Sequence, residues 1–154
     1  MQAPRDDGPL DELCQFIVSS HHAAFQLAIP LIESQLAGRA GAEVREAFAD
    51  LANQLRSHLA KEENLLFPAI EALAQADRQG SLRPALPFST VLYPVRMMET
   101  EHARIEAALA HLREITEGLG LTELARLDAD LHEHHRLENE MLFPRVLELE
   151  RRFQ

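Results

Sequence analysis

Two stretches of this sequence repeat one pattern of residues that can bind metal ions. The pattern is His-x-x-x-Glu-x-x-x-Leu-Phe-Pro, found at residues 58–68 and again at residues 134–144. On an α-helix, residues four apart lie on nearly the same face, about 6 Å apart along the axis. Each copy therefore directs one imidazole and one carboxylate the same way, as two ligands of one metal ion require.

Four long predicted helices would position these residues. Apolar residues recur at steps of three and four from near Pro9 to the glycines at 38–41, and then over about 42–76, 94–117 and 122–151. We expect Pro30 to kink the first helix and Pro68 to bend the second. A segment rich in Gly, Pro and Ser, 77–93, connects the two halves. The sequence predicts an all-α fold, an up-down-up-down four-helix bundle at 10–151 that follows a flexible tail at 1–9.

Histidines and glutamates interrupt the apolar stripes at mid-length, where the bundle core would lie. Taken singly, a histidine in such a stripe is more often a hydrogen-bonded core residue than a metal ligand. Six ionisable side chains at one depth would be expensive to bury without compensation, and a pair of metal ions would remove that expense. The predicted metal ligands are His22, His58, Glu62, His102, His134 and Glu138.

The ligand types narrow the choice of metal. Imidazole with carboxylate suits iron, manganese or zinc, and no thiolate is placed to favour copper(I) or a cluster. If Glu62 and Glu138 each bridge two metal ions, each ion has two histidines and two carboxylate oxygens. A bridging oxide or hydroxide would then leave one vacant position on each ion, where O2, NO or peroxide would bind. We therefore expect two iron ions, with manganese or zinc as alternatives.

Composition excludes several other classes of function. The 154 residues include 25 acidic and 15 basic ones, a formal charge of −10, which argues against nucleic acid and anionic membranes as partners. No apolar run approaches the ~20 residues that span a bilayer, and residues 1–9 do not resemble a signal peptide. Cys14 is the one cysteine, so no internal disulfide forms. We expect a cytoplasmic protein. No hydrolase or nucleotide-binding motif is present, and no catalytic residue is predicted.

The remaining histidines are expected to stay outside the metal site. His21 points about 100° away from His22 on a helix, which predicts a flanking or surface position. His132 and His135 lie on either side of His134 and are both predicted to be solvated. His111 lies nine residues beyond His102, about 13 Å along the helix, which is too far for the same centre.

Four motifs in this order resemble the hemerythrin-type HHE cation-binding family, and in particular the bacterial di-iron RIC proteins, which repair iron centres. They are His22 with Pro30 eight residues later, the two repeated copies, and the stretch 94–102 that ends Glu-Thr-Glu-His. The resemblance covers about residues 17–145. It implies a four-helix bundle in which the four histidines bind a di-iron pair, Glu62 and Glu138 bridge it, and Glu101 lies near it.

Several departures from the family pattern bear on function. The RIC proteins usually carry an N-terminal extension with a cysteine pair, whereas about sixteen residues with Cys14 precede the match here. Gln54 stands where they often have an acid, and His21 where they typically have tyrosine. The oxygen-carrying hemerythrins have a second histidine four residues after the first on the third helix, where this sequence has Glu106. Reversible O2 carriage is therefore the weaker interpretation.

The preferred hypothesis is a di-iron protein that acts in oxidative or nitrosative stress, by iron–sulfur cluster repair or iron donation. Its partners would be O2, NO or peroxide and damaged iron–sulfur proteins. One alternative is a module that binds or senses O2 or NO without turnover, and another is a metal-free acidic bundle. The sequence leaves open whether the protein is an enzyme, which metal it binds in the cell, and whether it forms a homodimer.

Overall fold

The computed structural model describes residue 2 and residues 4–154 of the chain, and the described part folds as four long helices without a β-strand. Residues 1 and 3 of the predicted tail lie outside the described residues. Three of the long helices contain a π-helical turn. The segments are α1 (Leu10–Phe16), a π turn (Ile17–His22), α2 (Ala23–Ala37), α3 (Ala42–Lys61), a π turn (Glu62–Leu66), α4 (Phe67–Gln79), α5 (Leu92–Ile115), α6 (Thr122–Arg136), a π turn (Leu137–Leu142) and α7 (Phe143–Arg151).

The packing of these segments is that of an up-down-up-down bundle. Segment α1 packs on α4 and α2 on α3, so the first and second long helices run antiparallel. The third long helix, α5, packs on α3 and α6, while α4 and α7 pack together as the parallel second halves of the second and fourth long helices. The all-α four-helix bundle predicted from the sequence is confirmed.

The helix ends follow from local chemistry. Pro9 precedes α1, and Asp11 and Glu12 lie in its first turn, where acidic side chains complement the helix dipole. The second long helix runs three residues beyond the predicted Ala76, because Gly80 adopts φ 62°, a left-handed conformation that closes helix C-termini. The third begins at Leu92, two residues before Pro94, which a first turn accommodates because its N–H is not needed there.

Two apolar clusters fill the bundle, one towards each end. The first unites α1, α4, α7 and the start of α5, with Ile17, Phe67 and Phe143 among its buried members. The second unites α2, α3, α6 and the rest of α5, with Phe25 and Phe48 among its members. Between them lies a layer of buried histidines and glutamates. Each long helix contributes to both clusters, so the layer is fixed from both sides.

The π-helical turns lie where the long helices pass this layer. Two of them end at the Phe-Pro of the repeated copies, Phe67-Pro68 and Phe143-Pro144. Proline cannot donate a hydrogen bond to the carbonyl four residues earlier, and its ring crowds that carbonyl, so the preceding turn widens. The predicted effect of Pro68 thus takes the form of a π turn. The turn at Ile17–His22 has no such proline, since Pro30 lies within α2.

The connection between α4 and α5 is tied to the end of α7. Glu150, which is 4% exposed, accepts hydrogen bonds from Arg83 at 2.8 Å, from Thr90 at 2.6 Å and from the backbone N–H of Val91 at 3.2 Å. These contacts hold the pKa of Glu150 below that of an ordinary glutamate, although burial alone would raise it. In the part of the chain that the structure describes, no helix is both long and apolar enough to cross a membrane.

Candidate metal centre

All six predicted ligands lie in the buried layer, each 2% exposed or less. The first and third long helices each supply one histidine, and the second and fourth each supply one copy of the His-x-x-x-Glu pair. Five of the six, His58, Glu62, His102, His134 and Glu138, have ligand atoms that all lie within 4.8 Å of one another. The sixth, His22, places Nε2 3.0 Å from Glu62 Oε2. The structure brings the six side chains together, and their assignment as metal ligands stays a prediction.

The two carboxylates divide the histidines into pairs. On what we call the His58 side, Glu62 Oε1 lies 3.0 Å from His58 Nε2 and 3.8 Å from His102 Nε2, and Glu138 Oε2 lies 3.2 Å from His102 Nε2. On the His22 side, the remaining oxygens take the same places. Glu62 Oε2 lies 3.0 Å from His22 Nε2 and 3.8 Å from His134 Nε2, and Glu138 Oε1 lies 2.8 Å from His134 Nε2. Each carboxylate thus presents one oxygen to each side.

The carboxylate oxygens approach the histidine nitrogens without forming hydrogen bonds, while His58 Nε2 and His102 Nε2 lie 3.1 Å apart at hydrogen-bond distance. Among the described residues, both oxygens of Glu62 and Glu138 and the Nε2 atoms of His22 and His134 are buried with no hydrogen-bond partner. Leaving so many buried polar atoms unpaired would destabilise the fold by about 1–3 kcal/mol each. Separations near 3 Å are those of neighbouring ligands about 2 Å from one metal ion. The donor set therefore fits a pair of metal ions, one on each side.

The carboxylates differ in their electrostatic surroundings. Burial would raise the pKa of Glu62, but the surrounding His58, His102 and His22 outweigh burial and hold the pKa well below that of an ordinary glutamate. Burial and the nearby Glu62 carboxylate together raise the pKa of Glu138 to about 8. Without metal ions, Glu62 therefore keeps its negative charge while Glu138 takes up a proton at neutral pH.

The histidines divide in a similar way. Burial lowers the pKa of a histidine, but the carboxylates around His102 outweigh it and raise its pKa to about 10. The pKa of His22 is also raised, because Glu62 and Glu63 outweigh burial there. For His134 burial prevails, and its pKa falls to about 3. His134 is thus a neutral imidazole, the form that binds metal ions.

Two side chains beyond the predicted set orient the histidines. His22 donates through Nδ1 to Glu63 Oε1 at 2.8 Å, and His102 donates through Nδ1 to Asn139 Oδ1 at 2.9 Å. A partner at the second ring nitrogen fixes the ring and leaves Nε2 for the metal. Sequence reasoning gave neither residue a role, although both are polar and follow directly after the glutamate of their copy.

The residues just before His22 and His102 contact the histidines of the repeated copies. Glu101 Oε2 lies 3.5 Å from His58 Nδ1 without the alignment of a hydrogen bond, and its other oxygen accepts one from Lys61. Glu101 thus lies beside the cluster, as the family resemblance implies. His21 packs against His134 with ring centroids 5.6 Å apart, and burial lowers its pKa. His21 flanks the site, as predicted.

The prediction for His135 was wrong. His135 is 4% exposed and stacks on His102 with ring centroids 4.1 Å apart and planes 23° apart. Its Nδ1 donates to Glu106 Oε1 at 2.7 Å, and the desolvation that accompanies burial lowers its pKa to about 2. The sequence carried a signal for this position, because His135 follows the buried Leu131 by four residues of α6 and so lies on the same helix face; the prediction considered only its offset from His134. His132 is exposed, as predicted, and also contacts Glu106, at 2.9 Å.

Two surface clefts reach towards the buried layer. One lies between α5 and α6 and includes His102, Glu106, His132 and His135 in its lining. The other, between α3 and α5, is lined by Gln54 and Glu101 among others, so these two residues face the same opening. Cys14 is fully buried, and burial raises the pKa of its thiol far above the ordinary value. Cys14 is therefore not a reactive thiolate.

Comparison with known proteins decides the family. The family described as hemerythrin HHE cation-binding domain matches residues 15–84. The iron–sulfur cluster repair protein DnrN of Neisseria gonorrhoeae is 32% identical over 154 residues, an alignment that covers 90% of each chain. The chain belongs to the hemerythrin HHE family. The resemblance seen in the four motifs is thus confirmed.

Two further relatives extend this comparison. The iron–sulfur cluster repair protein YtfE of Edwardsiella ictaluri is 31% identical over 163 residues, which cover 90% of this chain and 66% of that protein. The YtfE protein of Yersinia pseudotuberculosis is 27% identical over 160 residues with the same coverage. The chain spans just under two thirds of the length of these YtfE relatives and nearly all of the DnrN relative.

Proposed function

We propose that the protein holds two iron ions in this layer and acts in the repair of iron–sulfur clusters damaged by oxidative or nitrosative stress. The observation that carries the proposal is the division of the ligands by the two carboxylates, with one oxygen of each on either side. The names of the relatives support iron–sulfur cluster repair as the process. The proposal includes iron as the metal, iron donation during repair, and the cytoplasm as the location of the protein.

In this proposal His22 and His134 would hold one ion and His58 and His102 the other, while Glu62 and Glu138 would each offer one oxygen to either side. Bound iron would supply redox chemistry and affinity for O2, NO or peroxide. The protein surroundings exclude bulk water, since the ligands are buried and apolar clusters close the layer from both ends. Glu63 and Asn139 hold the histidine rings in place.

The test is a reactivation assay. An iron–sulfur enzyme inactivated by NO is incubated with the iron-loaded protein, and recovery of its activity is followed. We expect recovery with the wild-type protein and none with Glu62→Ala, which should hold nearly no iron, while Glu140→Ala, which changes an exposed residue of the second copy, behaves as wild type. Recovery no faster than with free Fe²⁺ would exclude a repair function.

A second candidate function is binding or sensing of O2 or NO without turnover. It is favoured by the cleft whose lining includes His102 and His135, which would bring small molecules close to the buried layer, and by the buried state of Cys14, which offers no accessible thiol for repair chemistry. Stopped-flow spectra after addition of NO distinguish the two functions. A spectral change that reverses when NO is removed, with no reactivation of a damaged enzyme, would favour sensing.

A further inference from the structure

His135 is the buried histidine that the proposed centre does not use. Its ring lies inside the bundle beside the predicted ligands, stacked on His102. One of its ring nitrogens lies within 4.8 Å of the ligand nitrogens of His58, His102 and His134, all four residues being buried. Packing alone does not require a histidine to place a ring nitrogen this close to three other imidazoles.

The tautomer of His135 follows from its contact with Glu106. A carboxylate accepts hydrogen bonds, so the 2.7 Å contact with Glu106 Oε1 places the ring proton on Nδ1. Nε2 then carries a lone pair, and it is buried with no hydrogen-bond partner among the described residues. A carboxylate that orients an imidazole in this way is the usual support for a metal-bound histidine.

A purely structural role would leave this geometry unexplained. A core histidine avoids the penalty of burial by pairing both ring nitrogens, and an unpaired one destabilises the fold by about 1–3 kcal/mol. Phenylalanine would stack on His102 equally well without that penalty. A bound group that accepts the Nε2 lone pair would remove this penalty. Because several other buried lone pairs point into the same layer, the group they indicate is a metal ion.

We propose that His135 is a fifth histidine ligand of the centre and binds through Nε2 the metal ion on the His58 side. This inference rests on the proposed metal pair. It makes the two sides unequal, with three imidazoles on the His58 side and two on the His22 side. The His22 side then has fewer protein ligands and is the one that retains room for an outside molecule.

The test uses Co²⁺ as the probe and proton NMR as the readout. Each histidine bound through Nε2 keeps its Nδ1–H, which gives one exchangeable resonance strongly shifted by the paramagnetic ion. In the wild-type protein loaded with Co²⁺ we expect five such resonances. His135→Phe, which preserves the stacking on His102, should remove one of them, whereas His132→Ala should leave all five.

A second variant keeps the inference testable if His135→Phe does not fold. Glu106→Ala removes the carboxylate that orients His135, and we expect a chelator to extract Co²⁺ about tenfold faster from this variant than from His132→Ala. Four shifted resonances in a wild-type protein that binds two Co²⁺ ions would overturn the role of His135 and leave the proposed centre intact. Failure to bind Co²⁺ at all would overturn both.

Discussion

The two copies of the repeated pattern share one backbone form but lie in different surroundings. Each runs through a π-helical turn to Phe-Pro, and the residue after its glutamate holds a histidine of the preceding helix. In the first copy, at 58–68, that residue is the acidic Glu63, and the copy's own histidine faces Glu101. In the second copy, at 134–144, it is the neutral Asn139, and His134 faces His21 instead.

This difference shows that the repeat determines the position of the ligands, while the residues around it determine their charge. Glu62 contacts all four histidines within 3.8 Å and stays ionised. Glu138 contacts His102 and His134, and without metal ions it takes up a proton. We therefore expect the first copy to contribute more to metal retention than the second.

The strongest test of this comparison is removal of each glutamate. We expect bound iron to fall from two ions per chain to nearly none in Glu62→Ala, because that oxygen pair contacts all four histidines. In Glu138→Ala we expect about one ion, held by His58, His102 and Glu62. Elemental analysis after gel filtration measures both. Equal loss of bound iron in the two variants would show that the two copies contribute equally to metal retention. Glu140→Ala is the matched control.

The next effect concerns the residues that follow the glutamates. Glu63→Ala and Asn139→Ala should each weaken metal affinity by roughly 10- to 100-fold, since each frees a histidine ring. The loss should be larger for Glu63, because a carboxylate makes the stronger hydrogen bond. Competition with a chromophoric chelator gives both affinities. A larger loss of metal affinity in Asn139→Ala than in Glu63→Ala would contradict the larger contribution expected of the first copy.

A smaller difference is expected for the residues that precede the ligands. Glu101→Gln should weaken affinity by less than about tenfold, because its 3.5 Å contact with His58 lacks hydrogen-bond alignment. His21→Phe should leave affinity unchanged, since it retains the ring packing against His134. The same chelator assay applies. A marked loss of affinity in His21→Phe would show that metal binding by the second copy depends on the imidazole of His21 and not only on its ring packing.

The smallest effect lies outside the centre, where the helices that carry the two copies end differently. The first copy's helix ends at Gly80, while the second's carries Glu150, and Glu150→Gln should lower stability by about 1–3 kcal/mol at neutral pH. The ionised form of Glu150 is favoured in the folded state, so its contribution is present above pH 4.5 and is lost as the pH falls through the lower folded pKa.

Urea unfolding of wild type and Glu150→Gln, each in the same metal state, measures this contribution. We expect the difference in unfolding free energy to be constant near neutral pH and to shrink as the pH falls below about 4.5. A difference that stayed constant into the acid range would show that the Glu150 charge does not contribute.

The sequence was sufficient to predict the fold and the meeting of the six side chains. Period 3–4 stripes define the helices, and His22, His58, His102 and His134 stand at one depth in them. The outer contacts were not predictable in the same way. The partners of Glu106 and Glu101 depend on which helices become neighbours, and no single-helix pattern encodes that. The inward position of His135, by contrast, was available from the sequence, because His135 follows the buried Leu131 by four residues of the same α-helix.

Metal content per chain shows directly whether the buried layer holds two metal ions. The protein would be expressed with iron supplementation, purified anaerobically and analysed for iron, manganese and zinc together with protein concentration. We predict close to two irons per chain in the wild type. One ion per chain, or none, would contradict the bridging roles of Glu62 and Glu138 and the function built on them.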